Sequence, residues 1–219
     1  MRNVRFLVAA VALLGHWQQC AHAWDGPEPV PRPAAATRPL IGCFGDSLTA
    51  GFGLDPGQSY PARLQQILRD HHYRYEVQNE GVNGDTTQDG LARVSLALAA
   101  HPQIVVLELG ANDGLRGQPV AGIEANLAKI IEAFQSAKVK VVLAGITLPP
   151  NYGPDYVKRF RAIYPALAKK YKLVLIPFIL DGVAGNQNLM QRDGLHPTAE
   201  GALIVAQTVF QKLQPMLKK

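Results

Sequence analysis

At 219 residues, with 47% hydrophobic and 18% charged side chains, the chain has the size and balance of one medium globular domain, without the signature of disorder. Its formal net charge of +5 comes from scattered Lys and Arg, with no basic block interleaved with aromatics. The charge therefore reads as a solvated surface, and no nucleic-acid partner is expected.

The chain opens with a positive segment carrying Arg2 and Arg5, then an apolar run over 6–15, then Ala21-His22-Ala23. This pattern predicts a secretory signal peptide over 1–23, and with it export to the periplasm or the medium. A membrane span needs about 20 apolar residues, so no stable membrane insertion is expected after cleavage. Lipid attachment at Cys20 is disfavoured, because Trp17-Gln18-Gln19 lacks the small apolar residues expected before a lipidated cysteine. Cleavage would remove Cys20 and leave Cys43 without an intramolecular partner, and Cys43 reads as a small buried hydrophobe. Residues 24–37, with Pro27, Pro29, Pro31, Pro33 and Ala34-Ala35-Ala36, predict an extended linker. The folded domain is expected over 38–219.

From there strands and helices alternate. Apolar runs rich in β-branched residues predict strands at 40–44, 75–79, 104–109, 139–146 and 173–177. Ser59 can cap a helix with Pro61 in its first turn and Leu64, Ile67 and Leu68 on one face. Leu91, Val94 and Leu98 mark a helix after the second strand. Ile123, Leu127, Ile130, Ile131 and Phe134 follow the 3.6-residue period, as do Phe160, Ile163, Tyr164 and Leu167, and Ala202, Val205, Val209 and Leu213 mark the last helix. Strands separated by helices imply right-handed crossovers and a parallel sheet covered on both faces. The expected fold is α/β: a three-layer α/β/α sandwich with a five-stranded, flavodoxin-like sheet. Its crevice should lie beyond the carboxyl ends of the strands.

Those ends carry the chemistry. Gly45-Asp46-Ser47 follows the first strand, a glycine-rich turn containing Gly84 the second, Gly110-Ala111-Asn112-Asp113-Gly114 the third, and Asp193-Gly194-Leu195-His196-Pro197 lies after the fifth. A serine hydroxyl is a weak nucleophile and needs a base. His196 can take its proton and return it, and Asp193 can accept from the imidazole and fix its tautomer. The Ser47 and Gly84 backbone N–H groups and the Asn112 amide can supply an oxyanion hole. Each piece has a plainer reading: Ser47 as a helix cap, the Asn-Asp-Gly segment as an ordinary turn, His196-Pro197 as the start of the last helix. Asp46 and Asp113 are expected to shape their turns by local hydrogen bonding. His71-His72 and His101 read as a helix end and a loop. No metal-ligand spacing or phosphate loop is present, so no metal and no cofactor are expected.

These same residues resemble the four sequence blocks of the GDSL (SGNH) hydrolases, and the resemblance spans 40–215. It is closer still in Gly84-Asp85-Thr86-Thr87, Gly90-Leu91-Ala92-Arg93, Asn112-Asp113-Gly114-Leu115-Arg116-Gly117 and Leu148-Pro149-Pro150-Asn151-Tyr152-Gly153. There it is similar to the periplasmic multifunctional acyl-CoA thioesterase I, lysophospholipase L1 and arylesterase subgroup. The resemblance implies Ser47 as nucleophile, Gly84 and Asn112 in the oxyanion hole, and Asp193 and His196 completing a triad. It also places Leu115, Leu148 and Tyr152 beside the acyl chain. Thr49 stands where a G-x-S-x-G elbow would have its second glycine, which argues against the α/β-hydrolases. The expected substrate is a small acyl ester, thioester or lysophospholipid, and a monomer is favoured. The alternatives are a carbohydrate O-acetyl esterase and a catalytically silent binding domain.

Overall fold

A computed structural model describes residues 38–219; the signal peptide and linker expected over 1–37 lie outside the described residues. The described chain runs β1 (Leu40–Gly45), α1 (Ser47–Ala50), α2 (Tyr60–Asp70), β2 (Glu76–Gly81), α3 (Thr87–Ala99) and β3 (Ile104–Glu108). It continues α4 (Ala111–Leu115), α5 (Val120–Ser136), β4 (Lys140–Ala144), α6 (Pro154–Tyr171), β5 (Val174–Ile176) and α7 (Ala199–Leu213). All strand pairs are parallel and the order is β2-β1-β3-β4-β5, the flavodoxin order expected. α2 packs on α7 over one face, and α3, α5 and α6 pack side by side over the other.

Coverage on both faces explains why the central strands read as unbroken apolar runs. β3 is buried along its whole length, and β4 everywhere except Lys140. The strand limits differ from expectation at the edges. β5 is three residues long, because Pro177 has no N–H to extend the ladder. β4 ends at Ala144, two residues before Ile146, although Ile146 is still buried.

Helix faces follow the expected period in α5, α6 and α7, where every residue named above is buried. α3 differs. Leu91, Val94 and Leu98 are only partly buried, and the fully buried positions are Thr87, Gly90 and Ala97. A Cβ on Gly90 would lie 2.3 Å from Leu109 Cδ1 and 3.4 Å from Phe44 Cε1, so small residues let this helix lie close on the sheet. Ser59 does occupy the cap position of α2, but its side chain makes no capping bond; its hydroxyl accepts from Asn79 Nδ2 at 3.4 Å instead.

Candidate active site

Ser47 is placed by what precedes it. β1 ends at Gly45, and Asp46 caps α1 by accepting the Leu48 N–H at 3.0 Å on Oδ1. Ser47 thus enters the first turn of α1 rather than capping it. Its backbone N–H donates to no acceptor among the described residues.

The turn after β5 brings the partners. Asp193 Oδ1 accepts the backbone N–H groups of Leu195 and His196 at 2.9 and 3.0 Å, which folds the turn around the carboxylate. Asp193 Oδ2 lies 2.6 Å from His196 Nδ1, and His196 Nε2 lies 2.8 Å from Ser47 Oγ. An ionised carboxylate only accepts, so Nδ1 carries the hydrogen and Nε2 is left to accept from the Ser47 hydroxyl. Partial desolvation opposes ionisation of Asp193. The His196 ring and the two backbone donors outweigh it and hold the carboxyl below its usual range. The arrangement can move a proton from Ser47 Oγ to the imidazole without displacing either group.

Gly84 sits at φ +84°, a left-handed conformation, and its N–H also lacks an acceptor among the described residues. Arg116 Nη2 donates to the Gly84 carbonyl at 3.1 Å and pins that turn. The Asn112 amide, carried on α4, donates to Asp85 O at 3.0 Å and to Asp46 Oδ2 at 3.3 Å. Both of its hydrogens therefore have acceptors, and the bond to Asp46 is the longer of the two.

Asp46 shapes its own turn as expected, but Asp113 does not. It accepts from the Thr87 backbone N–H at 2.8 Å and the Thr87 hydroxyl at 2.6 Å, tying α4 to the start of α3. Arg93 ties α3 to β1: Nε donates to Asp85 Oδ2 at 2.6 Å, Nη2 donates to Gly45 O at 2.8 Å, and the guanidinium lies 4.0 Å from the Phe44 ring centre. Cys43 is fully buried, and burial pushes its thiol up to about 12.

A cavity of about 520 Å³ opens beside Ser47, Asn112 and His196. Its wall is apolar, formed by Leu115, Leu148, Ile146, Phe178, Leu180 and Met190. Leu115 and Leu148, which the resemblance places beside an acyl chain, both line this cavity. Tyr152 does not line the cavity; its hydroxyl donates to Leu115 O at 3.1 Å and braces the wall from behind. Phe178, Leu180 and Met190 were not singled out from the sequence, although the rule that crevices form beyond strand ends points to the segment after β5. Phe52, with its ring centre 4.7 Å from that of His196, and Gln191 were also missed. So was Glu108, whose sequence signal is a lone acid at the end of an apolar strand.

Comparison with known proteins places this geometry in a family. The model of the GDSL-like Lipase/Acylhydrolase family matches residues 43–204. Esterase TesA of Pseudomonas aeruginosa is 45% identical over 185 residues, covering 84% of this chain and 91% of that protein. The Escherichia coli protein named thioesterase 1/protease 1/lysophospholipase L1 is 38% identical over 187 residues, covering 85% of this chain and 88% of the other. A crystal structure of TesA superimposes with a TM-score of 0.78 at 44% identity, over 81% of this chain and 99% of that one. The chain belongs to the GDSL-like lipase/acylhydrolase family and is a hydrolase acting on ester bonds.

Proposed function

We propose that the protein is an exported serine esterase that cleaves esters and thioesters of acyl chains through an acyl-enzyme on Ser47. The observation that carries this reading is the run Asp193–His196–Ser47, with contacts of 2.6 and 2.8 Å, beside an apolar cavity. Ser47 Oγ attacks the carbonyl carbon while its proton passes to His196 Nε2. The carbonyl oxygen becomes an oxyanion that accepts from the Ser47 and Gly84 N–H groups and the Asn112 amide. Collapse of the tetrahedral species expels the alcohol or thiol, which takes the proton from His196. Water then repeats the attack on the acyl-enzyme with the same base, releasing the acid. No step calls on a metal or organic cofactor. Asp193 keeps the imidazole in the productive tautomer and stabilises its cationic form.

The cavity wall supports an acyl chain as the recognised part of the substrate. The name of the Escherichia coli relative supports thioesters and lysophospholipids alongside simple esters. Burying each methylene yields about 0.8 kcal/mol, close to a fourfold factor in binding. We therefore expect kcat/KM to rise with chain length until the cavity is filled. The test is hydrolysis of p-nitrophenyl esters from acetyl to palmitoyl, wild type beside Ser47→Ala. Strict acetyl preference would favour the carbohydrate O-acetyl esterase, and equal rates for the two proteins would sink the serine mechanism.

A further inference from the structure

Two carboxyl groups meet beneath the catalytic rim without a counter-ion of their own. Glu108 ends β3 and pairs in register with Gly45, so the next residue of the first segment, Asp46, falls beside it. Both residues are 0% exposed, and each carboxyl perturbs the titration of the other, as side-by-side carboxyls do. A carboxylate cannot donate a hydrogen bond, so a bond between these two groups needs one proton. Two adjacent buried anions would also repel strongly.

The surrounding donors decide which group is the anion. Asp46 accepts two N–H groups, Leu48 at 3.0 Å on Oδ1 and Asn112 at 3.3 Å on Oδ2. Glu108 Oε2 accepts the Thr49 hydroxyl at 2.9 Å, that hydroxyl lies 3.3 Å from Tyr60 OH, and the Asp46 backbone N–H also faces the Glu108 carboxyl. Glu108 Oε1 is buried with no partner among those donors, which leaves it as the oxygen that carries the proton.

We propose that Glu108, as a neutral acid, and Asp46, as a carboxylate, form a one-proton pair that positions the Asn112 amide for the oxyanion. The Glu108 O–H holds Asp46, and Asp46 Oδ2 holds the Asn112 hydrogen that the reacting oxygen will share. Both groups are 0% exposed and act through Asn112, so both are positioning residues. A preoriented donor is what oxyanion stabilisation requires, and limiting the pair to one charge keeps a second anion away from the developing one. The inference rests on Asn112 being an oxyanion donor.

The other groups facing the pair are Asp85 and His196 at the rim, Tyr60 from α2 and Tyr164 from α6; Cys43 faces Tyr60 from β1, and Asp113 faces Tyr164 from α4. Arg93, the nearby cation, is already bonded to Asp85 and to Gly45 O. Burial accordingly pushes Glu108 well above the carboxylate range and Asp46 up to about 6.

The experiment combines kinetics and infrared spectroscopy on wild type, Glu108→Gln, Glu108→Leu and Asn112→Ala. Wild type at mildly alkaline pH should show the C=O stretch of a protonated carboxyl, and Glu108→Gln should lack it. A glutamine can still donate to Asp46 while accepting from Thr49, so Glu108→Gln should keep kcat within about tenfold of wild type. Glu108→Leu removes that donor and should lose about 10²-fold in kcat, with KM nearly unchanged. Absence of the band in wild type, or its persistence in Glu108→Gln, would overturn the proposal whether or not Glu108→Leu folds. So would normal turnover in Glu108→Leu when Asn112→Ala is impaired. Normal turnover in Asn112→Ala would instead remove the oxyanion reading, and the inference with it.

Discussion

At the scale of single residues, Gln191 shows how the two halves of the site are kept in register. Its Nε2 donates to Phe52 O at 2.7 Å and to Pro197 O at 2.9 Å, and its own N–H donates to His196 O at 2.7 Å. One side chain thus joins the loop after α1, which carries Phe52 over the imidazole, to the turn that carries His196. Asp193 fixes the imidazole within its turn; Gln191 fixes the turn against the serine. Gln191→Ala removes two bonds from a site where small displacements matter, and kcat should fall about tenfold with little change in KM. Steady-state kinetics on p-nitrophenyl butyrate measures this. An unchanged kcat would mean that Asp193 and the Pro197 backbone orient His196 unaided.

At the scale of elements, the site depends on how closely α1 seats against β2. A Cβ on Gly81 would lie 2.1 Å from Ala50 N and 2.7 Å from Ala50 Cα, which is backbone and cannot rotate away. Gly81→Ala must therefore push α1, and Ser47 with it, away from the strand. Overpacking of this kind costs about 1–3 kcal/mol, and we expect a loss of stability of that order by denaturant unfolding. Activity should fall further than stability alone explains, because Ser47 Oγ moves relative to His196 Nε2. A variant that is destabilised but fully active would show that α1 shifts as a unit with the His196 turn. Arg93 fastens α3 to β1, and Asp113 fastens α4 to α3, so these two helices are held together at the rim.

At the scale of the whole molecule, the balance of shifted carboxyls sets the pH response of stability. Burial raises Asp46, to about 6, together with Glu108, Asp113 and Glu80. A raised acid contributes stability that is complete below its unfolded value and is lost as pH climbs through its folded value. Asp193 and Asp89 are lowered and act in the opposite sense, contributing above their unfolded value and losing it as pH falls. Both are exposed to solvent, which screens their contribution. The buried set should dominate, so Tm should decline as pH rises from about 4 to about 7, as followed by circular dichroism. Asp46→Asn should flatten that slope. A Tm that climbs over this interval would show that the surface carboxylates govern instead.

The sequence by itself determined the alternation of strands and helices, the flavodoxin-like order and the segments that end on one rim. These follow from local periodicity, turn chemistry and the handedness of crossovers, each legible within a few residues. It also pointed to Ser47, Gly84, Asn112, Asp193 and His196, since their residue types state their chemistry and the family resemblance named the same positions. Tertiary structure alone decided which partners they meet. Asn112 turned out to be held by Asp46 and Asp85, Tyr152 to stand behind the cavity wall, and Asp113 to reach α3 rather than its own turn. The buried Asp46–Glu108 contact and the Gln191 link to Phe52 join residues 62 and 139 positions apart. Such contacts arise from sheet register and loop packing, and no local pattern in the chain encodes them.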